Sequence, residues 1–169
     1  MQPNPLLTLR VLWFAILSAT VAFLFIPMPE SDPASGATLL LPLSIMALGC
    51  AAGSLLVPIH LMRSGLERLK LQTVEIDDLE PAAPRRRVFR DPDIAEHAAF
   101  GVYRTATILG LVLAEAIALD GFVLKFLAAG LHNALAFFGV SWALILILFP
   151  RRSVALRALE RAYRIGPVG

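Results

Sequence analysis

The chain has 169 residues, 57% of them hydrophobic and 17% charged, with a net charge of +2 and one cysteine; its mean hydropathy is +0.73. So apolar a chain exceeds what a soluble domain of this length covers with its surface, which excludes a water-soluble globule and assigns the sequence to a bilayer. A single cysteine excludes an intrachain disulfide and any Cys-based metal or redox motif.

Four stretches approach the roughly 20 residues needed to cross about 30 Å of hydrocarbon, over 6–26, 39–59, 106–127 and 131–149. The expected fold is therefore all-α, an integral membrane four-helix bundle forming one domain. Asn4 and Pro5 suit the N-cap and first position of the first helix, and Arg10 is expected to snorkel to the interface. A signal peptide is the alternative, with Arg10 before the apolar run and Ser35-Gly36-Ala37 as small residues. The run from Val11 is long for such a peptide, so an uncleaved helix is expected. Its aromatic and branched residues, among them Trp13, Phe14 and Phe25, suit a peripheral helix, and 28–37, rich in proline, reads as a turn.

The second apolar stretch differs in kind, because Ala47, Gly49, Cys50, Ala51, Ala52, Gly53 and Ser54 leave its centre almost bare. Gly49 and Gly53 have the small-xxx-small spacing that lets two backbones approach, so burial against a neighbour or another protomer is expected. A flexible helix with no specific partner is the alternative, and Cys50 is expected to be a small packing residue. Beyond Pro58 the pattern continues as an amphipathic extension opening a cytoplasmic segment over 60–104. Within it, Thr73 to Arg90 carries an acidic run, a Pro-Ala-Ala-Pro hinge and Arg85-Arg86-Arg87, and reads as a solvated loop. Three arginines without interleaved aromatics favour headgroups or plain solvation, so no nucleic-acid partner is expected.

Asp91 and Pro92 look like an N-cap and first position for a helix running to about Ala129. His97, Arg104 and Glu115 fall within roughly 20° of one stripe on it, but Arg104 and Glu115 stand about 16 Å apart along the axis. Gly110, Ala114 and Gly121 form a second, small-residue stripe against which the second or fourth helix is expected to pack. Asp120 lies about 140° around from Glu115, and Lys125 is expected to snorkel outward. The fourth stretch is the shortest and should stand nearly upright. After Pro150, the tail over 150–169 sets Arg157, Arg161 and Arg164 opposite Ala155, Leu159 and Ala162, the pattern of a basic helix lying on the membrane surface.

Charge placement predicts topology. The turn over 28–37 holds Glu30 and Asp32 without Lys or Arg, whereas 60–104 and the tail hold most of the basic residues. Both termini and the long middle segment are thus expected in the cytoplasm of a bacterial inner membrane.

Catalytic motifs are lacking: there is no Gly-rich phosphate loop, nucleophile elbow or His pair at metal spacing. No enzymatic activity, cofactor or metal is expected. The candidates for proton or ion handling, or for a buried polar contact, are Glu115, Asp120 and Arg104. A carboxyl in hydrocarbon favours its neutral form, which suits either a proton carrier or a hydrogen bond to a neighbouring helix.

The segment Leu113-Ala114-Glu115-Ala116-Ile117-Ala118-Leu119-Asp120-Gly121-Phe122-Val123 resembles the carboxylate-bearing helix of rotary ATP synthase proteolipid subunits. That resemblance implies a proton-carrying carboxylate at Glu115 alone. It covers about a dozen residues; the alternating Gly-x-Gly helix is missing, the connecting loop is longer, two helices are extra, and Asp120 stands where an aromatic is usual. The whole chain resembles uncharacterised bacterial four-helix membrane proteins that end in a proline and a basic amphipathic helix, a resemblance that implies no activity. The expected function is that of a non-enzymatic accessory or assembly subunit, bound to lipid and to other membrane subunits or copies of itself. Proton or cation translocation through Glu115 is the alternative.

Overall fold

The computed structural model describes residues 5–27, 33–76, 86–127 and 131–165. Helix α1 spans Pro5–Phe25 and α2 Pro33–Arg68; strands β1 (Thr73–Ile76) and β2 (Arg86–Phe89) form an antiparallel pair; α3 spans Pro92–Phe126, α4 Leu131–Ile147 and α5 Arg152–Tyr163. Three helices, α1 to α3, are long and apolar enough to cross a membrane, and a fourth span is reached only by counting α4 together with α5.

Two element boundaries differ from the sequence expectation for local reasons. Helix α2 begins at Pro33, ahead of the apolar stretch, because proline's fixed φ and missing N–H suit a first helical position. The stretch Thr73 to Arg90, expected as a loop, is paired at its two ends, with Thr73 opposite Phe89 and Val74 opposite Val88. Its acidic centre, its proline hinge and Arg85 lie outside the described residues. The start of α3 has the expected cap: Ile94 N donates to Asp91 Oδ1 at 3.1 Å, which satisfies one of the free donors of the first turn.

The chain divides into two compact units, Met1–Pro58 with Thr107–Pro150, and Ile59–Ala106 with Arg151–Gly169. In the first, Trp13, Ile16, Leu111, Ala114, Ile117, Leu144 and Ile145 form a core in which α1, α3 and α4 meet. Polar side chains tie these helices together. Trp13 Nε1 donates to the Ile145 carbonyl at 2.6 Å, Trp142 Nε1 to Thr20 Oγ1 at 3.1 Å, and Ser141 Oγ to the Ala114 carbonyl at 2.7 Å. Such bonds suit an apolar setting, where a buried donor without an acceptor is costly.

In the second unit the ring of Phe89, buried, meets Tyr163 edge-on at 5.2 Å. The Tyr163 hydroxyl hydrogen-bonds to the carbonyls of Leu66, at 3.1 Å, and Leu69, closing the C-terminus of α2. Ala155 and Leu159 of α5 are fully buried while Arg157, Arg161 and Arg164 are exposed. The tail helix therefore buries Ala155 and Leu159 against protein, while Ala162, expected on the same side, is exposed. Arg152 Nη2 meets Glu96 Oε1 at 2.5 Å, and Arg151 N donates to the Tyr103 hydroxyl at 3.0 Å.

Candidate functional site

The ionisable residues of the apolar part of α3 have three different environments. Glu115 is half-buried and, among the described residues, makes no hydrogen bond or ion pair. It stands roughly 60° around the helix from Val112, on the margin of the outward stripe of Leu109, Val112, Leu119 and Val123. Asp120 faces inward: it is 5% exposed, and its Oδ2 is fully buried without a hydrogen-bond partner among the described residues.

Lys125 is buried too, at 7% exposure. Its Nζ donates to the carbonyls of Phe23 (3.3 Å), Leu24 (2.7 Å) and Ile26 (3.0 Å) at the end of α1. The expected outward snorkelling gives way to this contact because the last carbonyls of a helix have no intrahelical donors, and its C-terminus carries partial negative charge. Only the position of Lys125 near the end of an apolar run hinted at this role in the sequence. Its acceptors lie about a hundred residues away in the chain. Arg104 is exposed and belongs to the second unit.

The small residues sort by what they touch. A Cβ on Gly110 would stand 2.9 Å from Pro58 Cγ and 3.0 Å from the Ser54 carbonyl oxygen. Pro58 has no N–H with which to bond that carbonyl within α2, and Gly110 lets α3 lie directly against it. A Cβ on Gly121 would meet Phe137 Cβ at 2.8 Å and the Ala134 carbonyl at 3.2 Å, on α4. Ala114 is fully buried. Gly53 faces α3, with Leu113 Cδ1 at 3.2 Å from a Cβ built there, whereas Gly49 is exposed with nothing within 4 Å. The two glycines expected to pack as a pair thus separate: Gly53 works within the chain and Gly49 points away from it.

Among the described residues no three His, Cys, Asp or Glu side chains gather into a metal-binding group. No protein-family model, no curated protein and no solved structure matches the chain.

Proposed function

We propose that this chain is a four-span protein of the bacterial inner membrane that serves as a non-enzymatic accessory or assembly subunit of a larger membrane complex. The observation that carries this reading is Glu115, half-buried on the margin of an outward apolar stripe with no polar partner among the described residues. A carboxyl at hydrocarbon depth costs roughly 2.5 to 3.5 kcal/mol when exposed to lipid as a charge, so a polar group on another subunit is the natural complement. Helix α2 supports the same reading. Only 6% of its apolar window is buried, against 50% for α3, and the uncovered side includes Gly49 and Ala52 as well as Ile45 and Leu56.

The orientation follows from charge. Every lysine and arginine except Arg10 and Lys125 belongs to the second unit, and short segments rich in these residues stay in the cytoplasm. Both termini are then cytoplasmic, and the ends of α1 and α3 face outward.

A second reading uses the same carboxyl, since an unpartnered acid beside an outward stripe also suits exchange of a proton or cation with a partner's surface. Glu115→Gln separates the two, because the amide keeps the shape and hydrogen bonding and removes the acidic proton. For an accessory subunit the Gln variant still assembles while Glu115→Leu does not. For a translocating component Gln assembles and abolishes proton flux in liposomes.

A further inference from the structure

We infer that Asp120 is a proton-binding site within the helix core, occupied by one proton in the resting protein and distinct from the outward carboxyl of Glu115. Asp120 lies on the inward side of α3, six residues before its end at Phe126, which is about 9 Å along the axis. An ionised carboxylate there needs a counter-charge or several hydrogen-bond donors to offset its desolvation, and among the described residues the buried side-chain donors of this unit are engaged elsewhere or lie well along the helix.

Lys125 is the one cation on its own helix within two turns, and its three N–H groups answer three carbonyls of α1. The Thr20 hydroxyl donates to the Leu17 carbonyl at 2.9 Å, that of Ser54 to Ala51 at 2.8 Å and that of Ser141 to Ala114. Thr107, the remaining buried hydroxyl of this unit, is thirteen residues away, about 20 Å along the axis.

Charged and titratable groups on the packed helices do not fill the gap. Helix α1 carries Arg10, exposed near its other end beside the ring of Phe149 at 5.7 Å. Helix α4 carries only His132, exposed in its first turn. From α2, within this unit, the one titratable side chain is the thiol of Cys50, which adds no positive charge. Glu115, on the same helix, points about 140° away. With the buried hydroxyls and Lys125 engaged, Asp120 Oδ2 unpartnered and no counter-charge beside it among the described residues, a bound proton is the remaining way to neutralise Asp120. The neutral acid is a form in which a carboxyl is tolerated in a low-dielectric core.

The test is infrared spectroscopy of the full chain in phosphatidylglycerol and phosphatidylethanolamine vesicles, titrated from about pH 5 to about pH 9. An ordinary aspartate, titrating near 4, is ionised across that whole range. Labelling with ¹³C-aspartate restricts the shifted signal to six residues, five of which lie outside the apolar stretches. The expected result is a label-shifted carbonyl stretch of a protonated acid at neutral pH, lost in Asp120→Asn and retained in Glu115→Gln. Because the label reads the native protein, the result does not depend on the variant folding. A labelled sample showing only carboxylate bands throughout the range, or a protonated-aspartate band that survives in a folded Asp120→Asn protein, overturns the assignment.

Discussion

Lys125 of α3 holds Leu24 of α1 through a 2.7 Å hydrogen bond from its ammonium to the backbone carbonyl, with Phe23 and Ile26 as the other two acceptors. An amine near the end of one apolar helix thus terminates another. It closes three carbonyls at a helix end, where intrahelical donors run out, and it sets a positive charge on the negative end of α1.

Replacing it tests that role. Lys125→Met keeps the length of the side chain but leaves the carbonyls open, and should cost about 1 to 3 kcal/mol. Unfolding in mixed micelles with increasing dodecyl sulfate, followed by the fluorescence of Trp13 and Trp142, should show a lower midpoint. Both indoles bond across this unit, Trp142 to Thr20 of α1 itself. An unchanged midpoint would mean that the contact contributes nothing to the docking of α1.

Tyr163 does the corresponding work for α2, with its hydroxyl on the carbonyls of Leu66 and Leu69. Tyr163→Phe should keep the edge-on contact with Phe89 and lose about 1 kcal/mol. Limited proteolysis at 69–72, just beyond the end of α2, should become faster. Equal cleavage rates in the two proteins would argue against a capping role.

The glycines separate packing inside the chain from packing outside it. Gly121→Ala places a methyl group 2.8 Å from Phe137 Cβ, and overpacking of this kind costs about 1 to 3 kcal/mol. A Cβ built on the exposed Gly49 has nothing within 4 Å, so Gly49→Leu should leave the unfolding midpoint unchanged while weakening assembly. A folding defect in Gly49→Leu comparable to that of Gly121→Ala would contradict this division.

Much of this arrangement was legible in the residues. The Asp91-Pro92 start of α3 followed from capping chemistry, and the stripe of Gly110, Ala114 and Gly121 from helical periodicity. What was hidden depends on partners far away in the chain. Periodicity set Asp120 and Glu115 on different sides of α3, with Glu115 expected toward the bundle or a partner interface; that Asp120 is the buried one depends on where α1, α2 and α4 lie. The capping by Lys125 was invisible for the same reason. The β1–β2 pair was obscured by the acidic, proline-rich centre between its strands, while the buried ring of Phe89 meets Tyr163, more than seventy residues on.

Topology has its own direct check. In a Cys50→Ala background, Ser31→Cys should react with a membrane-impermeant maleimide added to intact cells, and Ser153→Cys only after the membrane is opened. Labelling of Ser153→Cys from outside would reverse the proposed orientation.

Native mass spectrometry of gently solubilised membranes tests most directly whether the chain works as a subunit. The wild-type chain should appear within a heavier assembly of defined stoichiometry, and Glu115→Leu should release it as a folded single chain, while Glu115→Gln stays assembled. A wild-type chain that leaves the membrane alone, bound only to lipid, would contradict the account.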